Sequence, residues 1–73
     1  MPPSRKTLAQ VALPLGLRRL FSYSIPRELK DRVRPGHRVR VPFGRRTAFG
    51  FVVGFTREPP PGKLRAIQAL EPE

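Results

Sequence analysis

The chain has 73 residues, with 15 Lys and Arg against 5 Asp and Glu, one His and no Cys, for a formal net charge of +10. At this length it forms one domain with a small core, burying only about 60% of the surface its unfolded form exposes. Without cysteine there is no disulfide and no thiolate metal site, and His37 alone cannot hold zinc. No apolar run is long enough for a signal-peptide core or a membrane span, so no membrane partner is expected. The missing cysteines fit a reducing cytoplasm.

Taken in chain order, residues 1–6 carry two prolines and two basic residues without periodicity and read as a flexible basic tail. A domain over residues 7–71 follows. Thr7 to Leu13 reads as a strand, apolar at Leu8, Val11 and Leu13; Pro14 stops it and Gly16 frees the next loop. Leu20 to Ile25 alternates large apolar with small polar residues, which puts Phe21, Tyr23 and Ile25 on one face, and Pro26 ends the run. Arg27 to Val33 has room for one or two helical turns, with Leu29 and Val33 four apart. Pro35-Gly36 is a turn signal: proline suits the first central position, and glycine takes positive φ at the second.

His37 to Phe43 alternates again, with Val39, Val41 and Phe43 inward and Arg38 and Arg40 outward. Pro42 has no amide hydrogen, so it belongs at an edge or a bulge. Gly44 to Thr47 reads as the turn and Ala48 to Phe55 as the return strand. On that strand Phe49, Phe51, Val53 and Phe55 share a face assigned to the core, because a barrel this small has little else to fill it. Gly50 and Gly54 opposite them suggest bends or a close approach of another chain segment. Glu58 to Gly62 is a stiff connection, and Lys63 to Leu70 a last strand with Leu64, Ala66 and Ile67 turning inward. Short strands with turn signals between them give an all-β fold, a small five- to six-stranded barrel of the OB-like or SH3-like kind.

No catalytic constellation is visible, and the chain is expected to catalyse nothing and to need no cofactor. It lacks the G-x-x-x-x-G-K-[ST] phosphate loop, its acids are scattered, and Ser22 and Ser24 have no partner His with an orienting group. Charge points elsewhere. Between Asp31 and Glu58 there is no acid, yet Arg32, Arg34, Arg38, Arg40, Arg45, Arg46 and Arg57 all fall there. Such a field attracts polyanions and makes affinity steeply salt-dependent.

Individual residues then admit two readings each. Phe21 and Tyr23 are core rings, or one of them stacks on a base while Arg18 and Arg19 hold a backbone phosphate. Arg45 and Arg46 beside Gly44 are a phosphate cradle or an exposed basic turn. Arg38 and Arg40 are phosphate contacts or merely solubilising. Phe49, Phe51 and Phe55 are read as core rather than as a stacking platform.

The series Val11-Ala12-Leu13-Pro14-Leu15, Leu20-Phe21-Ser22-Tyr23-Ser24-Ile25-Pro26, Pro35 to Gly44 with its Val-x-Val-Pro-Phe-Gly ending, and Gly50-Phe51-Val52-Val53 resembles a known family. It is similar to the amino-terminal DNA-binding domain of the bacterial primosomal replication-restart helicases, the primosomal protein N′ (PriA) family, over roughly Leu8 to Glu71. The resemblance implies a non-catalytic OB-like module that recognises the 3′ end of a single strand at a stalled replication fork. It implies stacking by Phe21, close backbone approach at Gly44 and phosphate contact by Arg65. The implied partners are DNA, the remaining domains of an ATP-dependent helicase, single-stranded-DNA-binding protein and primosome proteins, in a nucleoid-associated setting. Two positions depart from the family pattern: Ser22 stands where Asp is common, and Arg65 where Lys is common. Serine still offers a donor and an acceptor but no charge, and arginine binds phosphate bidentately. The family domain runs further than this strand set, so Glu73 reads as a truncation point.

Two alternatives stand beside this. Pro-Gly-x-x-Val-x-Val also begins SH3-like RNA-binding modules of ribosomal and transcription-factor type. A basic barrel also suits docking onto an acidic protein partner.

Overall fold

The computed structural model describes residues 7–14 and 19–71. The tail expected over residues 1–6, the loop at Gly16 and the phosphate contact expected of Arg18 lie outside the described residues. Among the described residues five strands form one sheet: β1 (Leu8–Ala12), β2 (Leu20–Ser24), β3 (Arg38–Phe43), β4 (Arg46–Thr56) and β5 (Ala69–Leu70). Their order is β2-β1-β4-β3-β5, and every ladder is antiparallel. A 3₁₀ turn, Arg27–Leu29, leads on from β2, and the Val33 amide then donates to the Leu29 carbonyl at 3.1 Å.

Turn chemistry accounts for much of this. Gly36 has φ +93°, and the His37 amide donates to the Arg34 carbonyl at 3.0 Å, the geometry of a type II turn with Pro35 at its first central position. The β3–β4 hairpin is tighter than the four-residue turn expected. Phe43 pairs directly with Arg46, leaving Gly44 and Arg45 as the loop, and Gly44 alone has positive φ, at +60°. Glycine at the first central position of a two-residue loop suits the twist of the flanking strands. Pro42 sits in β3 beyond the reach of β5, which pairs only with Val39 and Arg40. The missing amide therefore costs no ladder bond on that side.

The all-β expectation is met, but the sheet does not close into a barrel. β2 and β5 are its two edges. A strap takes the place of closure. The Ser24 amide donates to the Arg65 carbonyl at 2.9 Å and the Ile67 amide donates to the Ser24 carbonyl at 3.0 Å, a lone parallel bridge. The Gln68 and Glu71 amides then donate to the Arg40 and Arg38 carbonyls, each at 2.8 Å. The long last strand expected over Lys63 to Leu70 is thus reduced to Ala69–Leu70, because the segment crosses from one sheet edge to the other. Its inward residue is Ile67; Leu64 and Ala66 are exposed.

The core joins Ala9, Val11 and Leu13 from β1 and its end, Tyr23 and Ile25, Leu29 and Val33, Val39 and Val41, Val52 and Ile67. The largest correction concerns β4. Phe49, Phe51, Val53 and Phe55 are all exposed, and Gly50 and Val52 are buried in their place. Cross-strand partners share a face, so Val39 opposite Gly50 and Val41 opposite Ala48 draw the even-numbered residues of β4 inward. Phe51 and Phe49 then stand outside beside Arg38 and Arg40. A register shift between Gln10 and Val11 sets Phe55 opposite Ala9 and separates it from the other two rings.

Candidate nucleic-acid interface

β2 presents Phe21 and Tyr23 on its core side and Ser22 on the other, because Phe21 pairs with Val11, Tyr23 with Ala9, and Ser22 with Gln10. The two rings do different things. Tyr23 is buried, and its hydroxyl donates to the Pro42 carbonyl at 2.9 Å. This ties β2 to the far end of β3, and it makes Tyr23 a core ring rather than a stacking surface. Burial pushes its phenol above the ordinary range, partly offset by the nearby Arg65 charge.

A raised phenol pKa has a definite consequence for stability. The folded state holds the Tyr23 proton more tightly than the unfolded chain, so this contribution is complete below about pH 10 and is lost as pH rises through the folded pKa. Tyr23 is the only tyrosine in the chain. Tyrosinate absorbance should therefore titrate above the free-phenol range and coincide with alkaline loss of structure. Tyr23→Phe leaves no phenol to titrate, so followed by circular dichroism it should lose this share of the alkaline loss of stability, at a cost of about 1 kcal/mol for the lost hydrogen bond.

Phe21 is half-buried and packs edge-on against Phe43, with ring centroids 5.1 Å apart and planes at 85°. The Arg19 guanidinium lies 4.8 Å from its centroid. Gly44 follows Phe43 directly, and the Arg65 Nη1 donates to the Gly44 carbonyl at 2.6 Å. Arg65 is itself fixed by its carbonyl, which accepts from the Ser24 amide at 2.9 Å. Phe21 and Arg65, separate in sequence, both line the β2 edge, and Gly44 is held beside it through Arg65 without lining it. An added Cβ at Gly44 would meet nothing within 4 Å, so the space beside that backbone is open.

An open groove of about 280 Å³ runs along this edge. Arg19, Phe21, Ser22, Tyr23, Lys63 and Arg65 are among its lining residues, with Glu58 and Pro59 to Pro61 also at its wall. Sequence reasoning did not single out Lys63 or the proline wall. They come to the groove only because the 57–64 connection folds back along β2, and the Glu58 amide bond to Thr56 Oγ1 at 3.1 Å starts that fold.

The other expected contacts lie elsewhere. Arg45 and Arg46 are exposed at the β3–β4 hairpin, next to Gly44 but not lining the groove. Arg40 is exposed on the outer face of the sheet, its Nε 3.6 Å from Glu71 Oε1. An ion pair this exposed contributes little to stability.

Residues 10–73 match the family model for the 3′DNA-binding domain (3′BD) of PriA. The chain belongs to that family. The match takes in all five strands apart from the first residues of β1, and every groove residue named above. DNA binding is the function by which that family is described. No helix among the described residues is long and apolar enough to cross a membrane.

Proposed function

We propose that the groove at the β2 edge receives the 3′-terminal nucleotide of a single DNA strand, and that Phe21 and Arg65 form its working surface, with the Gly44 backbone beside them. The observation that carries this reading is their convergence: Phe21 packs on Phe43, Gly44 follows, and Arg65 is bonded to the Gly44 carbonyl. The terminal base stacks on Phe21, taking the ring face where Arg19 now lies, and the freed guanidinium turns to the phosphate. Arg65 uses one donor on Gly44 and keeps the rest of its fork for a phosphate oxygen. Ser22 offers its hydroxyl as donor or acceptor to the sugar end, in place of a charged reader.

Arg45 and Arg46 add sequence-independent attraction from the hairpin tip. In this reading the chain is the non-catalytic end-recognition module of a replication-restart helicase, working at stalled forks in the bacterial cytoplasm with the other domains of that helicase and with primosome proteins. Fluorescence anisotropy with a short single strand tests it, comparing a 3′-hydroxyl with a 3′-phosphate end across a salt series. The expected result is at least a tenfold loss on blocking the end, persisting at moderate salt. Equal affinity for both ends, with only a steep salt slope, would reduce the module to a generic phosphate binder.

A further inference from the structure

The outer face of the β3–β4 hairpin plays no part in the groove. Phe51 and Phe49 stand there 52% and 41% exposed, followed along β4 by Val53 at 48%. Arg38 pairs across the ladder with Phe51, and its guanidinium reaches diagonally to lie 4.8 Å from the Phe49 centroid. One ring on this face is thus already stacked by a cation, and its neighbour Phe51 is open.

Apolar rings this exposed have a cost in water unless something covers them. The charge around them selects the occupant. From Arg32 to Arg57 the chain has only basic charged residues, and at this face Arg40 pairs with Glu71. Rings interleaved with guanidinium groups suit a polyanion that also carries flat π surfaces. Resting on the single-strand reading above, we propose that this face is a second contact for single-stranded DNA: a base stacks on Phe51, and the Arg38–Phe49 pair holds the adjoining phosphate.

The two contacts are within reach of one strand. Ser22 in the groove pairs with Gln10, and Phe51 pairs with Ala12, both on the side of β1 opposite the buried Ala9 and Val11. Two inter-strand steps and two residues along the strand separate Ser22 from Phe51 by about 12 Å, some three nucleotides at stacked spacing. A strand anchored by its 3′ end at β2 would therefore cross β1 and meet Phe51 a few nucleotides upstream.

The experiment uses the full chain and oligo-dT strands of two lengths, one just filling the groove and one about ten nucleotides long. Phe51→Ala should weaken the long strand about tenfold and leave the short one unchanged. Phe51→Leu keeps an apolar side chain but no π face, and should lose as much as the alanine variant. Arg38→Gln should lower the salt slope of the long strand alone by about 0.7. Unchanged long-strand affinity in Phe51→Ala, or full retention in Phe51→Leu, overturns the proposal and leaves the face to a protein partner. The groove reading is judged separately, by short-strand binding and its dependence on a free 3′ end. A wild-type chain that binds neither length removes both.

Discussion

Gly50→Ala should destabilise the domain by about 3 kcal/mol, a large fraction of the stability a small domain has. Strand propensity gives the opposite sign, since alanine in place of a strand glycine ordinarily stabilises. Geometry decides the matter. A Cβ on Gly50 would lie 2.6 Å from the Ala12 carbonyl oxygen, 2.6 Å from Leu13 Cδ2 and 2.7 Å from Val11 Cγ1. Side chains can shift, but the carbonyl belongs to a strand held on both sides, by β2 and by β4. The backbone of β1 would have to move away from β4, opening the centre of the sheet where Val11 and Val52 are fully buried.

Gly54→Ala is the control. Its Cβ would meet only Gln10 Oε1, at 3.6 Å, an ordinary contact. Urea denaturation followed by circular dichroism should give a much lower midpoint for Gly50→Ala and a near-native one for Gly54→Ala. Equal midpoints would mean that the close approach of β1 and β4 at Gly50 is not a feature of the folded chain.

The strands were legible because prolines and glycines punctuate them: Pro14 after β1, Pro26 after β2, Pro35-Gly36 before β3 and Gly44 after it. The faces of β2 and β3 followed from alternation. The face of β4 did not, because both of its faces carry apolar residues and the larger set was assigned inward. Pairing already held the correction. A hairpin loop of even length pairs odd-numbered residues with even-numbered ones, so inward Val39 and Val41 require inward even residues on β4, whether the loop has two residues or four. Side-chain size favours the three phenylalanines for the core, and the ladder register overrides it.

The site was legible in part. Phe21, Ser22, Gly44 and Arg65 came from the family pattern; in the fold Phe21, Ser22 and Arg65 line one groove, and the Gly44 carbonyl accepts from Arg65 beside it. Lys63 and the proline wall could not be anticipated, because their placement depends on how the connection after β4 folds back, and no periodicity encodes that. The strap over residues 65–71 is hidden for a related reason. Its backbone bonds go to β2 first and to β3 afterwards, so it never shows the sustained alternation of a strand with one partner.

Phe21→Ala should reduce affinity for a short strand with a free 3′ end by tenfold to a hundredfold, the loss of one base stack. Part of the ring's work is structural, since it packs edge-on to Phe43 at 5.1 Å, so alanine also loosens the hairpin that presents Gly44. Phe21→Leu separates the two effects. It keeps apolar packing against Phe43 and removes the flat face, and it should match alanine in affinity while staying near wild type in denaturation midpoint. The Arg45→Ala, Arg46→Ala double variant should behave differently. Both residues lie at the exposed hairpin outside the groove, so their removal should weaken every strand alike, free or blocked at the 3′ end, and flatten the salt slope by about 1.4 for two lost phosphate contacts. Discrimination between 3′-hydroxyl and 3′-phosphate should survive that double change and vanish with Phe21. If Phe21→Leu binds as wild type while the double arginine variant abolishes binding, capture of the strand lies in the charge of the hairpin, and the groove has no terminal base to hold.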